Sequence, residues 1–177
     1  NTKTKMIIGP GITFNGGMIF VEEPNLATIN LTSLIVWLDS SNTSSYPGSG
    51  TTWYDIAGSS QNMTLVNSPT FVSGTVSYFD FNGTTQFATG TGVTVPTTAY
   101  TKSVWFWIDA YADNNIVSGF DGTGGHFLFM GSSSFTKIMV GHHNQVPSQA
   151  ANFLAYQSTA SISLNTWYNV TVTFNTT

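Results

Sequence analysis

Val104-Trp105-Phe106-Trp107-Ile108 is apolar at every position and holds three aromatic rings. A strand with one wet face alternates apolar with polar residues, so a run apolar on both sides of the pleat predicts a central strand covered on both faces. The alternative is that Trp105 faces the core while one face presents an aromatic platform. The covered strand is preferred, because aromatic rings contribute so much of the buried area of a core.

Outward from this run, short β-prone segments recur at close intervals. Ser33–Leu38, Met63–Val66, Thr70–Val72, Ser77–Phe81, Gln86–Ala88 and Lys102–Ile108 are expected strands. Asn115–Ser118, His126–Met130, Lys137–Val140, Ala151–Tyr156 and Tyr168–Phe174 follow. Pro47-Gly48-Ser49-Gly50, Asn82-Gly83, Asp121-Gly122 and Gly124-Gly125 punctuate them as turns. No long stretch has helical periodicity, although a single turn fits Ser40–Ser45. Many short strands at this spacing predict an all-β fold, an antiparallel two-sheet β-sandwich, rather than parallel α/β units.

The first residues read differently. Ile12-Thr13-Phe14 and Met18-Ile19-Phe20 flank Asn15-Gly16-Gly17, a strong signal for an N-terminal β-hairpin. Gly9-Pro10-Gly11 separates off Met6-Ile7-Ile8, and Glu22-Glu23-Pro24-Asn25 reads as a linker. Residues 1–24 are therefore expected to form a Gly-rich attachment arm and residues 25–177 the sandwich. Residues 6–20 would pair with neighbouring copies or with other proteins of an assembly, making the chain an oligomer.

The 177 residues are about one domain's worth and bury roughly two-thirds of their extended surface on folding. There is no cysteine, which excludes disulfides, thiolate metal sites and cysteine nucleophiles. Four lysines, no arginine and eight acidic residues give a net charge of −4. Without a basic cluster, nucleic-acid binding and docking on anionic membranes are not expected. No apolar run is long enough to span a bilayer as a helix, and Gly9-Pro10-Gly11 interrupts any apolar core of a signal peptide.

Several fragments resemble one family in the correct order. Leu34-Ile35-Val36-Trp37-Leu38-Asp39-Ser40-Ser41-Asn42 leads to Trp53-Tyr54-Asp55-Ile56-Ala57-Gly58 and Asn62-Met63-Thr64-Leu65. Ser68-Pro69-Thr70-Phe71 follows, then the run from Tyr78 to Phe87, Tyr100-Thr101-Lys102-Ser103-Val104-Trp105, and the run from Asn165 to Phe174. Together they resemble laminin-G-like, concanavalin-A-like jelly-roll modules of bacterial surface proteins and phage virions. The resemblance implies a jelly-roll sandwich, a non-catalytic adhesion or structural role, glycans as ligands, and a place on a virion surface or outside a cell. The short start IIGPGITFNGGMIF also resembles the openings of some tailed-phage structural proteins. The family usually continues past the last matching strand with a hairpin and a closing strand. The stop at Thr177 therefore carries the expectation of a fragment, or of strands supplied by another segment, the N-terminal hairpin being a candidate.

The residues give little support to catalysis. Sandwich glycosidases need paired carboxylates flanking the scissile bond, yet the only glutamates, Glu22 and Glu23, lie in the linker. The Glu-x-Asp-x-x-Glu strand of glucan-cleaving members of the superfamily is absent, as is a Gly-x-Ser-x-Gly elbow. Asp109, Asp113 and Asp121 read as turn residues bonding their own backbone. Adjacent His142 and His143 would point to opposite faces of a strand and could share a metal only in a loop. His126 reads as structural or exposed. The chain is not expected to be an enzyme.

Calcium is the one cofactor the resemblance leaves open, since sandwich lectins of this superfamily often bind it in loops. Asp39 and Asp55 are the candidate ligands. The preferred alternative is structural: Asp39 caps the turn that follows it and Asp55 closes the Trp53–Gly58 turn. Trp37, Trp105 and Trp167 are expected in the core. Trp53 and Tyr54, read as loop residues, are expected exposed, where sugar rings would stack on them. Asp121, His142 and Asn144 would supply polar contacts from nearby loops. Competing readings are a carbohydrate-binding module of a secreted enzyme and a ligand-free capsid decoration domain.

Overall fold

The structure is a computed structural model that describes residues 4–7, 33–90, 99–112, 114–120, 125–130, 136–143 and 153–175. The described chain is all-β, built from antiparallel sheets, and contains no helix. Its strands are β1 (Thr4–Ile7), β2 (Thr52–Trp53), β3 (Met63–Val66), β4 (Thr70–Val72), β5 (Tyr78–Phe81), β6 (Phe87–Thr89), β7 (Ala99–Ile108), β8 (Asn114–Phe120), β9 (Gly125–Met130), β10 (Ile138–His143), β11 (Phe153–Gln157) and β12 (Tyr168–Asn175).

They form a five-stranded sheet ordered β12-β7-β1-β5-β4, a four-stranded sheet ordered β11-β10-β9-β8, and a three-stranded sheet ordered β2-β3-β6. The expected arrangement had two sheets. Instead, the layer opposite the five-stranded sheet is divided: β2-β3-β6 packs towards β5, and β8–β11 packs towards β7 and β12. Contact of Trp53 with Phe79, and of His126 and His142 with Tyr100, defines the two halves. A single hydrophobic cluster runs through both, from Leu38, Trp53, Leu65 and Phe79 to Val104, Phe106, Ile108 and Leu128.

The period-2 alternation of the strands explains this core. In β7, Val104, Phe106 and Ile108 are buried, while Trp105 between them is 42% exposed. The strand is therefore covered on one face only, which corrects the expectation of two covered faces. Phe79 and Phe81 point the same way as Phe106, and their neighbours Tyr78 and Asp80 lie on the outer face. β12 pairs with β7 over eight residues, from Tyr168 opposite Phe106 to Asn175 opposite Ala99. Between β8 and β9 the register shifts at Asn115/Val117, a bulge that leaves Ile116 unpaired in the ladder but buried.

Two further expectations change. Ser33–Leu38 forms no strand: the N–H of Trp37 donates to Asp55 Oδ1 (2.8 Å) and its carbonyl accepts from Ile56 N–H (2.9 Å). A carboxylate and a turn thus satisfy the backbone that a ladder would otherwise pair. Thr4–Ile7, expected within an attachment arm, is hydrogen-bonded between β5 and β7 and belongs to the main sheet. The hairpin expected at Asn15-Gly16-Gly17 lies outside the described residues.

The turns follow side-chain chemistry. Asn82 Oδ1 accepts from the N–H groups of Thr84, Thr85 and Gln86 (3.0–3.1 Å), and Gly83 takes φ 68°. This Asx turn carries the chain from the five-stranded to the three-stranded sheet. Gln86 Nε2 donates to the carbonyls of Asn67 and Ser68, tying this turn to the β3–β4 turn. Ser45–Tyr46 closes a single turn on the carbonyl of Asn42, within the Ser40–Ser45 turn expected.

Candidate functional site

Three places concentrate chemistry: the corner around Asp55, the space between the layers at Lys102, and the outer face of the five-stranded sheet.

At the corner, Asp55 is surrounded by donors. Oδ1 accepts from the N–H of Trp37 (2.8 Å) and Ala57 (2.9 Å), and Oδ2 from Ser59 Oγ (2.6 Å) and Gln61 N–H (3.2 Å). Burial raises its pKa, but these hydrogen bonds outweigh it and hold the carboxyl below its ordinary value. Asp39 Oδ1 accepts from Ser41 N–H (2.9 Å), so it caps its own turn. Asp55 therefore staples the corner, and a calcium ion would have to displace donors already in place. Among the described residues, no group of three or more His, Cys, Asp or Glu side chains converges on a metal position.

Trp53 corrects another expectation. It is fully buried, with its ring 4.7 Å from Phe79, and the two-residue strand β2 turns it inward. Tyr54, its neighbour, points outward and is exposed, as expected of it. Sugar stacking on Trp53 is excluded by this burial.

Between the layers, Tyr100 and Lys102 stand in phase with Val104, Phe106 and Ile108, and so face inward from β7. Lys102 Nζ lies 3.0 Å from His126 Nδ1 on β9. His142 on β10, the Cα partner of His126, is buried and stacks on Phe174 of β12 (3.7 Å, 18°). The Tyr100 ring lies 4.9 Å from His126, 5.6 Å from His142 and 5.4 Å from Phe174. Burial lowers the Lys102 pKa to about 7 and raises that of Tyr100 to about 12. Burial, with the nearby charges of Lys102 and His142, lowers His126 to about 4. His142, expected as a loop contact for glycans, is thus a core residue. Neighbouring His143 is the last residue of the same strand. Sequence reading missed Lys102 and Tyr100, although their even spacing from Phe106 places them on the core face. Asp121 and Asn144 lie outside the described residues.

The outer face of the five-stranded sheet is aromatic at one end and hydroxylic at the other. Trp105 is 42% and Trp167 36% exposed, and both correct the expectation of core positions. Trp167 meets Tyr78 edge-on (5.6 Å, 70°) across the sheet. Asn169 is the Cα partner of Trp105, and its Nδ2 donates to Ser103 Oγ (3.3 Å). Thr171 Oγ1 bonds the same Ser103 oxygen (3.0 Å), and Thr101 and Thr173 pair beyond it (3.3 Å). Such a face offers flat apolar surface beside neutral donors and acceptors, with few charges.

No family model, curated protein or solved structure matches this chain.

Proposed function

We propose that this chain is a non-catalytic, lectin-like sandwich displayed outside a cell or on a virion, and that it contacts glycans through the outer face of its five-stranded sheet. The exposure of Trp105 and Trp167 on that face carries this reading. Exposed indoles are costly to leave wet, and a contiguous apolar patch on a sheet marks a contact surface. Sugar rings present C–H faces to indoles and hydroxyls to the neighbouring Ser103, Asn169 and Thr171. The resemblance to laminin-G-like, concanavalin-A-like modules supports the same class. The glycan contact moves from Trp53 and His142, which are buried, to Trp105, Trp167 and Tyr78.

A panel of neutral polysaccharides and oligosaccharides, titrated against the intact chain, tests this. Trp105→Ala and Trp167→Ala are each expected to weaken binding roughly tenfold or more, the effect of truncating a central aromatic anchor. Their melting temperatures should stay close to that of the parent. Binding that survives both substitutions would move the site elsewhere. Absence of binding by the parent would favour a decoration domain that carries no ligand.

Assembly through residues 6–20 belongs to the same proposal. Replacing Phe14 and Phe20 with Ser should lower the sedimenting mass if these residues join copies, and an unchanged mass would remove them from any interface.

A further inference from the structure

Lys102 brings an amine into a space where, among the described residues, no carboxylate pairs with it. The facing groups can be named strand by strand. β7 contributes Tyr100, β9 contributes His126, β10 contributes His142, and β12 contributes Val172 and Phe174. No Asp or Glu occurs anywhere in β7 to β12. Asp109 follows the far end of β7, Lys137 precedes the far end of β10, and Glu22, Glu23, Asp113 and Asp121 lie outside the described residues. Between the layers, Lys102 Nζ lies 3.0 Å from His126 Nδ1.

That contact has a built-in limit. When the amine is protonated it can only donate, so Nδ1 must hold a lone pair and the imidazole must be neutral, with its proton on Nε2. A second proton has no favourable place on His126. On Nδ1 it would turn the acceptor into a donor aimed at a donor, and would set two positive charges 3.0 Å apart. Their partial burial between the layers weakens the screening that bulk water would give, and His142 stands opposite as a third nitrogen base. The low pKa of His126, about 4, expresses the same conflict. Separation of the two layers removes it, because both groups then charge freely in water.

We propose that Lys102, His126 and His142 form an acid-operated latch: proton uptake at His126 parts β9 and β10 from β7 and β12 at this end of the sandwich. The end around Trp53 and Phe79, where aromatic rings and the leucines Leu38 and Leu65 fill the space, stays closed. Opening uncovers the faces of Tyr100, Phe174 and His142, so acid exposes an apolar surface that neutral pH keeps buried. The device is a protonation switch acting on a packed interface.

Hydrogen exchange followed by mass spectrometry on the full chain at pH 7.5 and pH 4.5, corrected for the intrinsic rate, reads this directly. Peptides covering β9, β10 and the C-terminal half of β12 should lose protection by roughly 10- to 100-fold at pH 4.5, the proton linkage of one imidazole moving between about 4 and 6.5. Peptides covering β3, β4 and β5 should not change. His126→Gln keeps an acceptor for the amine but has no proton to take up, and should remove most of the acid effect, leaving the few-fold loss that Lys102 causes as its amine charges. Lys102→Met, which removes the opposing charge, should reduce it. Equal protection of β9 and β12 at the two pH values would overturn the proposal. So would an acid loss of undiminished size in His126→Gln. Should either variant fail to fold, the other still decides.

Discussion

Around Phe79, the rings of Trp53, Tyr46, Phe71 and Phe81 fill the space between the layers at centroid separations of 4.7 to 6.3 Å. Around Lys102, the same space holds an amine, two imidazoles and a phenol. Both ends are closed by the same five-stranded sheet, and in both the side chains alternate across the pleat. The difference lies in what happens when a proton arrives. Among the described residues, the ring-filled end has nothing to titrate between its layers except a tyrosine hydroxyl, Tyr46, which donates to Gly50 O (3.0 Å). The other end changes charge within the pH range that proteins meet. Packing density and polar chemistry have been placed at opposite ends of one core.

The largest effect that tests this contrast belongs to the ring-filled end. Phe79→Ala is expected to destabilise by about 3–5 kcal/mol in urea unfolding, the usual loss for a fully buried ring. The loss should be the same at pH 5 and pH 8, since the rings around Phe79 are Tyr46, Trp53, Phe71 and Phe81, and of these only the phenol of Tyr46 can titrate. A loss that varied with pH would break the contrast.

Asp55 comes next. Asp55→Asn places an amide where donors converge, and should cost about 1.5–3 kcal/mol at pH 7. Its folded pKa is depressed, so its contribution is fully present above 3.8 and is lost as pH falls below that value. Parent and variant should therefore draw together in stability as pH falls below 3.8. Calcium should not change the melting temperature of the parent. A calcium-dependent rise abolished by Asp55→Asn would restore the metal reading.

Lys102→Met should act in the opposite direction and stabilise by about 1–2 kcal/mol at pH 6, the low end of what replacing buried charged groups with apolar ones returns. Lys102 is partly reached by solvent, which limits the gain. Its folded pKa is depressed from 10.5 to about 7, so stability is fully present above 10.5 and is lost as pH falls through about 7. The advantage of Met should therefore shrink steadily from pH 7 to pH 10.5. Tyr100 works the other way: its pKa is raised from 10.0 to about 12, and its contribution disappears as pH rises through that value. From these groups the parent should be most stable near pH 10, above the range of about 5–8 where proteins usually peak. A maximum below pH 7 would show that Lys102 is solvated rather than desolvated.

Much of the fold was legible because the strands are separated by turn chemistry that acts locally. Asn82-Gly83 bends the chain by its own hydrogen bonds, so the strands on either side can be read without knowing their partners. Ser33–Leu38 misled because its composition suits a strand while its backbone partners, Asp55 and Ile56, lie about twenty residues away. β2 was missed because two residues carry no period. The two faces of β7 were visible, but not which one is inner: Val104, Phe106 and Ile108 are as apolar as Trp105 and Trp107. The polar end of the core depends on a contact between Lys102 and His126, 24 residues apart and in different sheets. Only the in-phase spacing of Tyr100, Lys102, Val104 and Phe106 hinted that an amine would enter the core. For the glycan contact, sequence favoured Trp53 because it reads as a loop residue, whereas tertiary packing with Phe79 turned that ring inward.

The division of β7 into a core face and a contact face carries most of the account. Equilibrium urea unfolding of Trp105→Ala and Phe106→Ala, measured side by side, tests it most directly. Phe106→Ala should lose about 3–5 kcal/mol, and Trp105→Ala no more than about 1 kcal/mol. Equal losses would mean that both faces of the strand are covered, and would contradict an exposed aromatic surface on this sheet.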